Sequence, residues 1–265
     1  TSEHGDVSVM KVITEEVGAP ADNEVQIAQK AIGLNFIDIY FRTGLYAQAL
    51  PHGLGFEAAG IVEAVGSRVP IVAGVSEMTT ARAIQYAKDA EKIGADAIML
   101  LPAMVYVPAP VELQAHFRAV AEATALPVML YNNPPAYRVD VDFATLEALA
   151  DVSNIVAIKE SAPDPRRFTD VFNRFGDRYT VMAGLDDVAL EGLFLGASGW
   201  VSGLTSAFPT ESVRLVAAFN EGKYDEALAI YRWFMPLLHL DADRDLVQSI
   251  KLAEQIMGRG SERVR

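Results

Sequence analysis

The chain has 265 residues, no cysteine and a formal net charge of −13 at pH 7. The lack of cysteine excludes disulfides and thiolate metal sites, and the negative charge argues against nucleic acid or an anionic membrane as a partner. Hydrophobic residues make up 51 % of the chain, enough for a core, but no apolar run is long enough to span a bilayer. Together with the polar, acidic start Thr1–Asp6, these features predict a cytoplasmic protein.

The histidines show no metal-ligand spacing, so we expect them on the surface or in packing, and we expect neither a metal nor a cofactor. They are His4, His52, His116 and His239.

Residues 1–67 differ in pattern from the rest of the chain. Val7–Ile13 and Glu24–Ala31 alternate apolar and polar residues, which predicts half-buried strands. An Asn-Phe-x-Asp-x-Tyr pattern begins at residue 35 and a Gly-x-Glu-x-x-Gly pattern at residue 55. With them, this segment resembles the start of the zinc-independent quinone oxidoreductases. That resemblance implies a GroES-like β domain, with Asn35 and Tyr46 near a nicotinamide. No Gly-x-Gly-x-x-Gly follows a predicted strand downstream, so the nucleotide domain of that family is absent.

From Val69 onward, predicted strands and helices alternate. The predicted strands are Val69–Val75, Ala95–Leu101, Pro127–Asn132, Ile155–Ser161, Tyr179–Leu185 and Gly199–Leu204. The predicted helices after them are Thr79–Ile93, Pro110–Thr124, Asp142–Ala150, Pro165–Phe175, Asp187–Leu195 and Pro209–Asn220. Six βα units over residues 68–220 predict an α/β fold, either a (β/α)₈ barrel lacking two units or an open doubly wound sheet. Residues 221–265 form a helical extension, with helices at Tyr224–Leu238 and Leu246–Met257.

Two consecutive strands end in residues that are able to do carbonyl chemistry. Lys159 closes the apolar run Ile155–Ile158, and Tyr131 closes the strand before it. A lysine buried there loses the hydration of its charged form, which favours the neutral amine that attacks a carbonyl, and a nearby phenol can move protons. Taken singly, a lysine that reaches out to water and a core tyrosine are equally consistent with the pattern. The pairing favours chemistry.

Five motifs stand in order along residues 69–265, namely Val69–Val75, Tyr131–Pro134, Ile158–Glu160, Ala183–Asp187 and Gly199–Gly203. With them, this part of the chain resembles the dihydrodipicolinate synthase / N-acetylneuraminate lyase family of Schiff-base enzymes. The resemblance implies that Lys159 forms an imine with a 2-oxo acid and that Tyr131 relays protons. It further implies a TIM barrel, a homotetramer, a substrate facing Gly184, and a pocket lined by Ser202, Gly203 and Asn133.

The chain also departs from that family. A Gly-Thr-Thr-Gly-Glu loop, which binds the substrate carboxylate in the family, is missing; Thr79 and Thr80 stand at a predicted helix start and are interpreted as capping residues. Six strands do not close a barrel, so we expect residues 1–67 to replace the first two βα units. The junction between the two resemblances lies near residues 66–68.

Three functions stay open at this point. The leading hypothesis is a Schiff-base lyase acting on a pyruvate-like 2-oxo acid by aldolase, dehydratase or deaminase chemistry. Asn133 and the stretch Tyr137–Asp140 differ from the usual synthase pattern and resemble members that process sugar-acid or hydroxyproline-derived substrates. The alternatives are a fragment of an NADPH-dependent quinone reductase and an inactive barrel.

For five further residues, we expect no role in the reaction. Three are acidic and are read as helix-start or solvent-exposed carboxylates, and two are tryptophans read as packing residues. They are Glu160, Asp186, Asp187, Trp200 and Trp233.

Overall fold

The computed structural model describes residues 3–11, 14, 27–33, 43, 57–62, 69–103 and 105–264. The chain divides into two compact units, the first formed by Thr1–Ile71 with Lys92–Ala95 and the second by Val72–Glu91 with Asp96–Arg265. Three features predicted from the sequence, namely Asn35, Tyr46 and the junction at residues 66–68, lie outside the described residues.

The described part of the first unit contains one antiparallel strand pair, β1 (Ile27–Gly33) with β2 (Glu57–Val62), whose register shifts between Gln29 and Ala31. β1 overlaps the strand predicted for Glu24–Ala31. The strand predicted from Val7 is wrong at Val7–Val9, which form a 3-10 helix. The physical reason is local: the backbone N–H and the hydroxyl of Ser8 both donate to Asp6 Oδ1, over 2.8 and 2.6 Å, and such side-chain bonds favour a turn over a strand.

The second unit is built on a parallel sheet whose six strands follow one another in chain order. The strands are β3 (Val72–Val75), β4 (Ala97–Leu100), β5 (Val128–Asn132), β6 (Ile155–Glu160), β7 (Thr180–Ala183) and β8 (Gly199–Trp200). The predicted α/β class is therefore confirmed, and the sequential strand order is that of part of a barrel, because a doubly wound sheet reverses its strand order at a switch point. Within the described residues no strand pairs with the outer edge of β3 or of β8. The replacement of two βα units by residues 1–67 stays a prediction.

In the second unit, one or more helices follow each strand. They are α1 (Thr80–Lys92), α2 (Pro110–Ala121), α3 (Pro134–Tyr137), α4 (Phe143–Ala148), α5 (Arg166–Phe175), α6 (Ala189–Phe194), α7 (Pro209–Asn220), α8 (Tyr224–Leu238) and α9 (Leu246–Ile256). Thr79 Oγ1 accepts the N–H of Arg82 at the start of α1, over 3.3 Å, as expected of a capping residue.

The core of the second unit lies mainly against one face of the central strands, since Met129, Ala157 and Met182 on the other face are only partly buried. Leu130, Ile158 and Val181, on β5, β6 and β7, are completely buried, as expected for a parallel sheet covered by helices. The edge strand β3 is different, because Val72 keeps 44 % of its surface exposed while Val75 is buried. The prediction that Ile155–Ser161 is buried on both faces holds only at the end of β6, because Val156 is 39 % exposed and Ala157 is partly buried. β3 is not buried on both faces either.

The C-terminal helices pack on the far end of the sheet. Tyr231, Phe234 and Leu238 of α8 join Leu204 and Leu215 in one buried apolar cluster. This cluster fixes the end of α8 and the 3-10 helix His239–Asp241 that follows it. As a result, a segment far along the chain is held beside the ends of β7 and β8.

Candidate active site

Lys159 and Tyr131 are neighbours across the sheet. The two residues are paired in the parallel register of β5 and β6, at the end of each strand. The Nζ atom of Lys159 lies 4.0 Å from the centroid of the Tyr131 ring. Lys159 is 7 % exposed and Tyr131 is 9 % exposed, so the amine is removed from bulk solvent and rests against the face of the phenol.

The surroundings of Lys159 leave its amine available for reaction. Among the described residues, no carboxylate lies within ion-pair distance of Nζ. Without such a partner, the charge of a buried lysine forms no ion pair that would stabilise the fold. Buried amines of this kind act as nucleophiles toward carbonyl groups. The arrangement can therefore support imine formation.

Asn133 fixes the orientation of the Tyr131 phenol. Its Nδ2 donates to the Tyr131 hydroxyl oxygen over 2.9 Å, and its Oδ1 accepts the N–H of Ala136 at the start of α3. Both polar ends of this buried side chain are therefore engaged within the protein. Sequence reasoning assigned Asn133 to the lining of the pocket, whereas the contacts describe a side chain that orients Tyr131.

A second tyrosine packs on the first. The ring of Tyr137 meets that of Tyr131 edge to face, with centroids 5.4 Å apart and planes at 89°. Burial raises the pKa of Tyr137, and the nearby Tyr131 phenol and Asp241 carboxylate raise it further. Tyr137 therefore stays protonated at neutral pH.

Gly184 lies directly against the stem of Lys159. A Cβ at this position would stand 2.7 Å from Lys159 Cγ and 2.2 Å from Ser161 Oγ, so only glycine fits. The Ser161 hydroxyl is buried and has no hydrogen-bond partner within the described part of the chain. An unpaired buried hydroxyl is costly, which makes Ser161 a further group able to meet a bound molecule.

Asp186 is buried at the end of β7 and organises the loop after β8. Its Oδ1 accepts Trp200 Nε1, and its Oδ2 accepts the Ser202 hydroxyl and the N–H of Leu204, over 3.0, 3.1 and 3.0 Å. Burial, with a contribution from the carboxylate of Asp241, raises the pKa of Asp186 to about 7. Asp186 does begin a short 3-10 helix, Asp186–Val188, as one of its two interpretations predicted, whereas the other, a solvent-exposed carboxylate, is wrong.

Asp241 reaches the site from the C-terminal segment. Its Oδ2 accepts the N–H of Asp186 over 3.2 Å. Its Oδ1 would lie 2.9 Å from a Cβ placed on Gly203, and Ile250 Cδ1 would lie 2.7 Å from it, so both side chains would have to move to admit a side chain there. Burial raises the pKa of Asp241, while the backbone hydrogen bond and the charge of Lys159 oppose the rise.

Glu160 is a structural carboxylate next to the site. It is completely buried, which contradicts its interpretation as a solvent-exposed group. Arg167 Nε donates to Oε2 over 2.5 Å, and the N–H of Ala162 donates to Oε1 over 2.8 Å. Asn132 Nδ2 also donates to it. Burial raises the pKa of Glu160, and its partner Arg167 lowers it.

The remaining residues interpreted from the sequence have mixed outcomes. Asp187 is half-buried and pairs with His239 Nδ1 over 2.8 Å, so it is not a free surface group. Trp200 packs against the C-terminal apolar cluster as predicted. Trp233 stacks on Phe234 but is 64 % exposed.

The predicted site residues fall into two groups. Lys159, Tyr131, Asn133 and Gly184 meet at the ends of β5, β6 and β7. Ser202 and Gly203 are tied to the same edge through Asp186 and Asp241. Sequence reasoning missed Ser161, Tyr137 and Asp241. Tyr137 was noted only as part of an unusual stretch, and Asp241 lies in the Asp-rich run 241–245, which carries no motif.

A separate cavity of about 360 Å³ lies beside α2, lined by residues that include Thr80, Tyr106 and His116. His116 is held there by Thr80 Oγ1 and the carbonyl of Leu101. Lys159 does not line this cavity. Over the described ranges, no cluster of three or more His, Asp or Glu side chains is arranged to hold a metal, and no helix has the length and apolar character to cross a membrane.

Two known protein families match different parts of the chain. The model of the dihydrodipicolinate synthetase family matches residues 58–265. The chain belongs to this family. Residues 21–81 match the alcohol dehydrogenase GroES-like domain. Both resemblances seen in the sequence are thus confirmed, and the predicted junction at residues 66–68 lies where the two matches overlap.

Individual members of the dihydrodipicolinate synthetase family agree with the match. 4-Hydroxy-tetrahydrodipicolinate synthase 1 of Halalkalibacterium halodurans is 35 % identical over 178 residues, which is 67 % of this chain and 60 % of that protein. The synthase structure from Methylacidiphilum fumariolicum SolV has a TM-score of 0.71 at 32 % identity, covering 76 % of this chain and 68 % of that one. A chloride-inhibited dihydrodipicolinate synthase from Acinetobacter baumannii, complexed with pyruvate, has a TM-score of 0.70 at 30 % identity, with 76 % and 69 % covered.

Proposed function

We propose that the chain is a lyase that forms a Schiff base between Lys159 and the keto carbon of a pyruvate-like 2-oxo acid. One observation carries this proposal: the Lys159 amine is buried, lies 4.0 Å from the Tyr131 ring centroid, and has no ion-pair partner among the described residues. A shielded amine beside a proton-carrying phenol is the pairing that imine chemistry requires.

The proposed reaction starts with attack of the neutral Lys159 amine on the keto carbon. A proton transfer from nitrogen to the former carbonyl oxygen gives a carbinolamine. The Tyr131 hydroxyl then protonates the departing oxygen, water leaves, and an iminium forms. The positive nitrogen withdraws electrons from the neighbouring carbon, which permits cleavage of a C–C, C–O or C–N bond.

The relatives support a 2-oxo acid as the substrate class. One solved relative holds pyruvate, and curated relatives are 4-hydroxy-tetrahydrodipicolinate synthases. The chain spans 60 % of the length of one such relative, and the stretch around Asn133 and Tyr137 is unlike the usual synthase pattern. We therefore propose the imine chemistry for this chain and leave the cleaved bond open among the three types.

The remaining predicted residues receive roles within this proposal. Gly184 gives Lys159 and the bound substrate the space that a side chain would fill. Asn133 orients Tyr131. Ser202, held by Asp186, and Gly203 are proposed to contact the bound substrate. The replacement of two βα units by residues 1–67 and the assembly as a homotetramer stay predictions.

Borohydride reduction in the presence of pyruvate tests the proposal. Intact mass is expected to increase by one reduced pyruvate in the unmodified protein and in the control variant Lys88→Ala, which removes an exposed lysine of α1. The Lys159→Ala variant is expected to gain nothing. No adduct on the unmodified protein, or an adduct that survives Lys159→Ala, would show the proposal to be wrong. Trapping without turnover of any 2-oxo acid would favour the inactive barrel.

A further inference from the structure

A second phenol stands behind Tyr131 without a role in the reaction described above. Tyr137 packs edge-on against the Tyr131 ring, with centroids 5.4 Å apart. The two tyrosines are joined by a stretch of only five residues, 132–136, within which α3 makes one turn. Their contact is therefore a local feature of the segment that closes β5.

The backbone of this segment fixes the position of Tyr137. Pro134 and Pro135 have no N–H and begin α3, and Asn133 caps this turn through its Oδ1. The N–H of Tyr137 donates to the carbonyl of Asn133 over 3.0 Å. Arg138 then ends the turn with φ of 58°, a left-handed conformation that a non-glycine residue rarely adopts. The turn of α3 and the left-handed conformation of Arg138 together hold the Tyr137 ring on one side of Tyr131.

The Tyr131 oxygen already has one donor. Asn133 Nδ2 donates to it over 2.9 Å, and the side-chain oxygen of Asn133 is occupied by Ala136. A hydrogen bond from an amide N–H is stronger when the phenol oxygen is ionised than when it is neutral. The Asn133 amide therefore stabilises the phenolate form of Tyr131 relative to the phenol. A second donor would stabilise the phenolate further, and Tyr137, which keeps its proton at neutral pH, is the neighbouring hydroxyl on the same segment.

We propose that Tyr137 is a positioning residue that, together with Asn133, stabilises Tyr131 as a transient phenolate during imine and enamine formation. This inference rests on the proposed function, because it assigns a proton-transfer role at the same site. The inference assigns a role to Tyr137, which the sequence pattern left without one. It also distinguishes Tyr131, which exchanges protons with the substrate, from Tyr137 and Asn133, which act through Tyr131.

The proton balance closes within the site. When water leaves the carbinolamine, Tyr131 gives up its hydroxyl proton, so an iminium and a phenolate are formed together. The phenolate oxygen then removes a proton from the carbon next to the iminium, which gives a neutral enamine and restores the phenol. The Tyr137 O–H and the Asn133 N–H donate to the phenolate oxygen between these two steps, and no external oxidant or base is needed.

Deuterium exchange into the methyl group of pyruvate measures this cycle directly. Each enamine that returns to the iminium in D₂O introduces deuterium, which NMR detects, while borohydride trapping counts the imine. The Tyr137→Phe variant keeps the ring contact and removes only the hydroxyl. We expect its exchange rate per trapped imine to fall about tenfold to a hundredfold. The Tyr137→His variant, whose ring can also donate, is expected to recover part of this loss.

Tyr179→Phe provides a matched control. Tyr179 is also buried, packs edge-on against Phe175, and donates its hydroxyl to the carbonyl of Leu146 over 2.8 Å, away from the site. Its exchange per imine is expected to stay within about twofold of the unmodified protein.

The outcomes separate this inference from the proposed function. If the unmodified protein traps no pyruvate, the proposed function fails and the inference falls with it. If it traps pyruvate but Tyr137→Phe exchanges deuterium as fast as the unmodified protein, only the inference is overturned. It is also overturned if imine forms without any exchange, or if Tyr137→His loses as much exchange as Tyr137→Phe.

Discussion

Gly184 leaves the space that the stem of Lys159 occupies. The position of the Lys159 amine therefore depends on the absence of a side chain at residue 184. We expect the Gly184→Ala variant to lose most pyruvate trapping, by about tenfold or more, because its Cβ would meet Lys159 Cγ at 2.7 Å and Ser161 Oγ at 2.2 Å. The measurement is the fraction of protein trapped by borohydride at a fixed pyruvate concentration.

The Gly74→Ala variant is the control for this substitution. Gly74 lies on β3, and a Cβ there has no neighbour within 4 Å among the described residues. Trapping in this variant is expected to equal that of the unmodified protein. If Gly184→Ala traps pyruvate as well as Gly74→Ala does, Gly184 does not set the position of the lysine.

Arg167 compensates the buried charge of Glu160. Its side chain is 11 % exposed and donates to Glu160 and to the carbonyl of Val141. Arg167→Met is expected to lower the free energy of unfolding by about 3 kcal/mol or more, because it leaves a buried carboxylate without its partner. Urea denaturation measures this change.

The double variant Glu160→Leu with Arg167→Met is expected to lose less stability than Arg167→Met alone, since it removes the unpaired charge as well. A single variant as stable as the unmodified protein, or a double variant less stable than the single one, would contradict the role assigned to this ion pair.

Single residues at strand ends could be predicted from the sequence, whereas contacts made across long sequence separations could not. Lys159 and Tyr131 each close an apolar run, and parallel strands bring such ends to one edge. Ser161 and Asp241 carry no comparable signal. Asp241 reaches the site only because the apolar cluster of α8 holds the segment behind it. Glu160 looked like a surface carboxylate because Arg167, its partner, lies on the following helix.

Among the elements, most helices and the central strands β5 and β6 were predicted closely, whereas α3 was not predicted and β8 was predicted too long. Pro209–Asn220 and Tyr224–Leu238 agree with α7 and α8 to the residue. The strand predicted at Gly199–Leu204 ends at Trp200, because the N–H of Leu204 and the hydroxyl of Ser202 turn toward Asp186. Hydrogen bonds from a distant carboxylate set this boundary, and local propensity does not contain them.

The loop organised by Asp186 is expected to make stability depend on pH. The pKa of Asp186 is about 7 in the folded protein, above its ordinary value of 3.8. The folded state therefore binds this proton more tightly than the unfolded state does. The stabilisation is fully present below about pH 4 and is lost as pH rises to about 7, so the free energy of unfolding falls across this range.

Urea denaturation at about pH 5 and about pH 7.5, for the unmodified protein and for Asp186→Asn, measures this contribution. The fall with rising pH is expected to be smaller in the variant by roughly 2 kcal/mol. Asn keeps one acceptor for the donors around it. An unchanged pH dependence in Asp186→Asn would contradict the assignment.

For the whole molecule, the sequence indicated the meeting of two families and the class of the larger unit. Motifs at residues 35–60 and 69–203 were sufficient for that, and the family matches confirm both. How the sheet is completed beyond β3 and β8 could not be predicted. Closing a barrel requires further strands, and the alternation of apolar and polar residues in 24–31 differs from the pattern of buried barrel strands.

Assembly is a prediction at this largest scale. Val105, Tyr106, Val107 and Val111 are each more than half exposed and lie close together in sequence before and within α2. Exposed apolar patches of this kind are typical of interaction surfaces. We expect light scattering to give the mass of a tetramer, and Tyr106→Glu to shift the protein toward smaller species. A monomer at micromolar concentration would contradict the expected assembly.

The central claim is that the Lys159 amine condenses with a ketone, and peptide mapping after reductive trapping with pyruvate tests it most directly. We expect the reduced adduct on the peptide that contains Lys159 and on no other. In the control, borohydride is added first and allowed to decompose before pyruvate is supplied, and we expect no adduct. An adduct spread over surface lysines, or a Lys159 peptide recovered without modification, would contradict it.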